Sequence, residues 1–582
     1  MTNQLQAIVN QSNSSQIEAP RIQFDHAVNG ATQDEPTHIR ITHIVTPSLT
    51  NIITPTGRPL TADEVQAKKE DAKTLQAITN FQKTLQELST AKGATFSNAI
   101  QNGIIAELKN INPRDLILSQ EGIESVDASK AILQELINNN YTTDTALNYA
   151  ESVCSLLFNH LNGGALLEQA KVDALYKKVL TESTITLHSR SQEQTNNPSF
   201  SIKDNQTGAP IALLKQQKNE YDSSHMRLIK NFPIYHTPTR QLVGSESDAL
   251  LGLNRTPITC RVTCLNTINN APYEKEGVLQ IFIPHAKTFG SDLIYQEGGG
   301  QFLQTLENSQ AHMSAISGIL KGHAAGHIDN YVVVEDMTSH RAKAIHEIDL
   351  KECMTPFNVK PDAHQVNRFG DGEEYCEDLN KKLNDLKNEI AALNQKPHTR
   401  KIKSQKELKE KELSEVKKRL ENEKKSIIMA RMSVLGLPQN NRPFDKAALL
   451  FLTHPSLAKM MDAHHKNIRR QNYEIQPSTL KAQRERLEML TDLAKRELAK
   501  NAITATPRDA YFHIFGGKEL FNIATSKNYH PISAFNNIVG CAYRHVFKDL
   551  SRPETIPERP ADRAASDSEE ARIVFANLQA LR

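Results

Sequence analysis

Residues Phe200–Gln217 read "FSIKDNQTGAPIALLKQQ". Two short apolar runs flank Asp-Asn-Gln-Thr-Gly, a composition that turns a chain back on itself, so the stretch predicts a β-hairpin. From residue 59 to about 190 the apolar residues recur at helical spacing; here the period changes to two. "TPITCRVTCLNT" (256–267) alternates as a strand, and "GVLQIFI" (277–283) is another. "GSESDALLGL" (244–253) and "FLQTLENSQAHMSAISGIL" (302–320) read as helices. "YVVV" (331–334) and "AIHEIDL" (344–350) close the block as two short strands. The fold class expected is α+β and helix-rich.

Around this block the chain divides by composition. Residues 1–58 are rich in Asn, Gln, Ser, Thr and Pro without period, and read as a flexible arm. Residues 59–190 are helical, opening at "LTADEVQAKKEDAKTLQAITNFQKTLQEL" with a Thr cap and first-turn acids. The strand-bearing core spans 191–372. In 373–432, Leu379, Leu383, Leu386, Ile390 and Leu393 step by four and three, and Leu413, Val416, Leu420 and Ile427 resume after Pro397. That pattern predicts a coiled-coil helical hairpin, its Lys and Glu forming solvated faces. Residues 433–548 read as helical and 549–582 as a mobile tail.

The 582 residues carry 69 Lys+Arg against 67 Asp+Glu, a net charge of +2, with no nucleic-acid footprint. Mean hydropathy is −0.50. No run approaches the ~18 apolar residues of a membrane span, and "MTNQLQAIVNQSNSSQ" has neither the basic nor the apolar region of a signal peptide. The six cysteines are scattered. Cys260 and Cys264 form a C-x3-C with no second pair, so buried thiols in a reducing, cytoplasmic compartment are expected rather than a zinc site. "NYHPISAFNN" (528–537), "DAHHKNIRR" (462–470) and "EGGGQ" (297–301) lack the partners or spacing that a catalytic loop, a metal pair or a phosphate nest would need.

Residues suited to phosphoryl transfer stand at intervals in the core. Such chemistry needs a cation for phosphates and oxygen ligands for Mg²⁺. Lys215 lies on the second strand of the hairpin and Glu246 opens the next helix. Asn330 and Asp349 sit at the edges of two short strands.

The order of these pieces resembles the phosphatidylinositol 3/4-kinase-like superfamily, closest in motif pattern to the type II phosphatidylinositol 4-kinases. The hairpin resembles their first hairpin, "GSESDALLGLNRTPIT" their acid-bearing helix, and "GVLQIFIP" their hinge strand. "GHIDNYVV" resembles their catalytic loop and "AIHEIDL" their metal strand. The resemblance covers roughly 160 residues and implies a bilobal atypical kinase-like core. It implies that Lys215 binds ATP phosphates and pairs with Glu246, and that Gln280, Phe282 and Ile283 lie at the adenine edge. Ser199 would help cover the phosphates, and Asn330 and Asp349 would hold Mg²⁺. One departure is plain: the loop aspartate of the family is Ala325 here. That leaves His327, with Asp329, as the candidate base.

The expected function is therefore a Mg-ATP-dependent phosphotransferase acting on an inositol lipid or a protein hydroxyl. The alternative is a pseudokinase or ATP-sensing scaffold that binds a partner protein through the coiled coil and helical regions. A third use of such a fold is adenylylation. The Asn/Gln-rich arm, helical modules and coiled coil together resemble effectors that intracellular bacteria secrete into host cells.

Overall fold

The computed structural model describes residues 16–17, 26–29, 36–45, 57–59, 72–102, 108, 116–161, 185–189, 199–216, 237–269, 271–294, 298–322, 330–348, 350, 371–397, 399–431, 433–471, 473, 475 and 477–515. The protein is mixed α+β and rich in helix. Its strands begin with β1 (Gln16–Ile17), β2 (His26–Asn29) and β3 (His38–Val45). A small ribbon pairs β4 (Gly57–Pro59) with β5 (Leu116–Leu118). Then come β6 (Ile185–Ser189), β7 (Ser199–Asp204), β8 (Pro210–Gln216), β9 (Thr259–Ile268) and β10 (Ala271–Ile281).

Seven of these strands close into a barrel in the order β3-β2-β6-β7-β8-β10-β9, with β3 hydrogen-bonded to β9; β1 pairs with β3 outside the ring. Only the β2–β6 pairing within the ring is parallel. Alternate side chains of each strand point inward. Ile39, Ile41, Leu187, Phe200, Leu214, Val262 and Leu279 fill the interior. The expected hairpin is there: Ser199 to Asp204 pairs with Pro210 to Gln216. Asp204 Oδ1 accepts from the backbone N–H groups of Gln206 and Thr207 at 2.9 and 3.0 Å, and Gly208 takes the left-handed φ of 67° that ends the turn.

The barrel corrects two boundaries. Residues 1–58 include barrel strands, so the segment is not wholly a flexible arm. "HIRITHIV" (38–45) alternates polar and apolar, and burying Ile39 (0% exposed) and Ile41 (3%) outweighs the disorder-prone composition around it. The boundary at 190/191 also falls between β6 and β7, neighbours in one sheet.

The helices, in chain order, begin with α1 (Ala72–Lys92), α2 (Ala94–Asn102), α3 (Gln120–Asn138), α4 (Thr143–Leu161), α5 (Thr237–Leu250), α6 (Gly299–Gln304) and α7 (Asn308–Lys321). They continue with α8 (Asp371–Asn394), α9 (Arg400–Arg431), α10 (Lys446–Leu452), α11 (Pro455–Arg470), α12 (Pro477–Leu498) and α13 (Pro507–Phe515). The helical regions before and after the strand block are not separate bodies. Phe81, Leu85 and Tyr149 share one apolar core with Met313, Phe451, Met460 and Leu490. Polar contacts rivet the two halves together. His454 heads α11, its Nδ1 accepting from Ser456 N–H at 3.2 Å; its Nε2 therefore carries the proton and donates to Ser129 Oγ at 2.9 Å. His160 Nδ1 lies 2.8 Å from Ser456 Oγ. Burial pushes His160 down to about 4 and His454 to about 3.

A small antiparallel sheet, β11 (Ala286–Thr288), β12 (Tyr331–Glu335) and β13 (Ala342–Glu347), accompanies the barrel. The chain reaches it from β10 through residues 282–285. Phe282 N–H still bonds to Ile211 O at 3.1 Å, and His285 O accepts from Glu335 N–H at 3.0 Å. Residues 371–431 form an antiparallel helical hairpin in which α8 and α9 pack chiefly on each other. Leu386 and Val416 are buried, and Lys382–Glu412 (3.4 Å) and Lys409–Glu389 (2.9 Å) cross between the helices. Among the described residues, no helix is long and apolar enough to cross a membrane.

Candidate functional site

On β8, Ala212, Leu214 and Gln216 are buried, so the alternate side chains, Leu213 and Lys215, point out of the barrel. Lys215 stands opposite Ser199 on β7 and Val278 on β10. Gln280 lies one row along, opposite Leu213 and Thr259, with its amide on Thr259 Oγ1 at 3.3 Å. Both outward side chains converge on one backbone group. Lys215 Nζ donates to the carbonyl of Ile348 at 2.8 Å, and Gln280 Nε2 donates to the same oxygen at 3.2 Å. Ile348 N–H in turn bonds to Asn330 O at 2.8 Å, extending the β12–β13 ladder by one rung. Lys215, Gln280 and Asn330 thus meet around Ile348, the chain neighbour of Asp349. Asn330 and Ser199 are each 3% exposed. Phe282 and Ile283 lie in the crossover that follows β10 and are half-buried. His327, Asp329 and Asp349 lie outside the described residues.

Glu246 is placed differently from expectation. It is fully buried on α5, and among the described residues neither carboxylate oxygen has a hydrogen-bond partner. The titratable side chain nearest it among those residues is His464 of α11, with Nδ1 at 3.9 Å, and not Lys215. The phase of α5 explains this. Ser245, one residue earlier, spends its hydroxyl on Pro257 O at 3.1 Å, while Glu246 looks toward α11. Desolvation raises the Glu246 carboxyl to about 8 and lowers His464 to about 3, so both are neutral near pH 7.

A charged cluster lies beside this site that the motif pattern did not point to. Lys321, the last residue of α7, is fully buried, with Nζ 2.5 Å from Glu347 Oε2 and 3.5 Å from Asp248 Oδ1. Asp248 also accepts from the backbone N–H of Thr256 at 2.9 Å and from Ser317 Oγ. Glu347 faces Tyr331 across the strands, and Tyr331 Oη donates to its Oε1 at 3.4 Å. The only signal in the sequence was a lysine closing an otherwise uncharged helix. Gly322 follows as the left-handed C-cap of α7 (φ 57°), and a Cβ there would lie 2.7 Å from the Arg486 guanidinium.

The donor set suits a nucleotide and its ion in kind: an ammonium for phosphates, and oxygen donors on Asn330 and Asp349 for Mg²⁺. Among the described residues no group of three or more His, Cys, Asp or Glu is arranged to hold a metal. Cys154, Cys260 and Cys264 are buried and make no disulfide. No protein-family model matches the chain, and no characterised protein matches it in sequence.

Proposed function

We propose that the protein is a Mg-ATP-dependent phosphotransferase with a bilobal kinase-like core, its nucleotide lying against the outer face of the barrel beside β13. The acceptor is a hydroxyl of an inositol lipid or of a protein. The observation that carries this reading is the convergence of Lys215 and Gln280 on the carbonyl of Ile348, with Asn330 bonded to the same residue. A neutral carbonyl is a weaker acceptor than a charged phosphate oxygen, so the Lys215 ammonium has a stronger partner to gain. Asn330 and Asp349 would hold Mg²⁺, which when bound neutralises charge on the phosphates. His327 would take the acceptor proton, supported by Asp329. Ser199 stands opposite Lys215, where it can cover a phosphate, and Gln280, Phe282 and Ile283 would border the base.

One observation favours a second reading, an ATP-sensing scaffold. Glu246 faces His464, so the pairing of Glu246 with Lys215 that the resemblance implies is not made. In that reading the α8–α9 hairpin, as a coiled coil, engages a partner protein.

The test is thermal stability with Mg-ATP. At one hundred times the dissociation constant, binding adds about 2.7 kcal/mol. Lys215→Met should remove the shift, and Asp349→Ala should remove its Mg²⁺-dependence. No shift in well-folded wild type would eliminate both readings. A shift without transfer of labelled γ-phosphate to inositol lipids or proteins would leave only the scaffold.

A further inference from the structure

We propose that the end of the barrel framed by Gln216, Asn266, Tyr273 and Lys275 binds a small oxyanion, with Lys275 as its cation. This site lies inside the barrel wall and is independent of the nucleotide reading, which concerns the outer face.

Tyr273, Lys275, Gly277 and Leu279 alternate on one face of β10, and Leu279 belongs to the apolar barrel core. Lys275 therefore enters the interior, opposite Cys264 of β9, itself fully buried. The lysine is only 8% exposed, while Glu274 is exposed and Glu276 is half-buried and bound to Arg261 at 2.6 Å. Among the described residues, the Lys275 ammonium has no hydrogen bond and no ion pair. Around it the polar groups leave donors to spare. Gln216 and Asn266 exchange two amide hydrogen bonds, at 3.0 and 2.7 Å. Asn266 Nδ2 gives its other hydrogen to Tyr273 Oη at 3.1 Å, so the phenol accepts there and its own hydrogen is free to donate. The one inward carboxylate in the adjoining hairpin, Asp204, caps the β7–β8 turn at the far end of the barrel. A cation and a phenol hydrogen with no carboxylate beside them among the described residues make this barrel end rich in donors, and the complement is an anion with several acceptor oxygens. Burial lowers the Lys275 pKa, a cost that such an anion would relieve.

The experiment labels the full-length wild type with an amine-acetylating reagent in inorganic phosphate, in acetate or in chloride at matched ionic strength. Acetylation at Lys275 is read by mass spectrometry, with exposed Lys83 as control. At phosphate ten times its dissociation constant about one site in eleven is empty, so labelling of Lys275 should slow about tenfold while Lys83 is unchanged. Protection by acetate in place of phosphate would assign the pocket to carboxylates. Equal labelling of Lys275 in all three buffers would overturn the proposal. Lys275→Gln should also lose any phosphate-dependent rise in Tm. Should that variant fail to fold, the wild-type labelling decides alone.

Discussion

Glu246→Gln should stabilise the protein at about pH 7.5, and the gain should shrink as the pH falls. In the folded chain the carboxyl holds its proton to about 8, because it is buried beside His464 with no hydrogen-bond donor; its ordinary value is 4.5. The unfolded chain releases that proton above 4.5, so raising the pH from 4.5 toward 8 favours unfolding. Each unit of that window is worth about 1.4 kcal/mol. The cost in wild type is then about 4 kcal/mol near pH 7.5, about 1 near pH 5.5, and vanishes below 4.5. Glutamine does not titrate and keeps nearly the same shape. Its own unmet hydrogen bonds add an offset independent of pH, so the quantity to measure is the swing. Urea unfolding of both proteins at the two pH values should give a difference that falls by about 3 kcal/mol toward the acid side. Every other titrating group is common to both and cancels. A difference that stays flat would mean that Glu246 is ionised in the folded protein, against a cation such as Lys215, and the placement beside His464 would then be refuted.

Three further outcomes are expected. In the Glu246→Gln background, stability should fall by about 5 kcal/mol between about pH 7.5 and 5.5. The cause is that His160, His346, His454 and His464, held near 4, 4, 3 and 3, take up protons near 6.5 only on unfolding; unchanged urea midpoints would show those rings charging in place. Gly322→Ala should lower stability by about 1–2 kcal/mol from its left-handed backbone alone, and by more because Arg486 must shift; a melt equal to wild type refutes the contact. Replacing residues 374–430 with a short Gly-Ser linker should leave the melt of the remaining protein and its Mg-ATP response intact, since α8 and α9 pack chiefly on each other; collapse of the barrel would make the hairpin part of the core.

What could be read in advance was local. Asp204 to Gly208 carries its own turn chemistry, so the β7–β8 hairpin, with Lys215 on its second strand, followed from neighbouring residues. The α8–α9 hairpin followed from leucine spacing in the same way. Partners distant in the chain did not follow. Periodicity marks the apolar face of α3 and α4 but not what covers it, and His454 and Ser456 lie some three hundred residues from their partners Ser129 and His160. The alternation of His38 to Val45 was visible, but surrounding Asn, Gln and Ser outvoted it. In the candidate site, motif order brought Lys215, Gln280 and Asn330 to one neighbourhood. It could not supply the rotation of α5, which turns Glu246 toward α11. Nor could it reveal Lys321 with Glu347 and Asp248, because a buried charge is recognised by its partners.

The seam between β3 and β9 also bears on synthesis. Ile39 pairs with Asn266, so more than two hundred residues must leave the ribosome before the first strand of the ring meets its last partner. Until then β3 presents a bare row of backbone donors and acceptors beside apolar Ile39 and Ile41, the kind of edge that recruits strands from other chains. A nascent chain of this design needs either shielding of its first fifty residues or fast arrival of the rest. Trimming those residues from an expression clone would reopen the ring between β6 and β9, leaving two raw edges, and the product should associate through them.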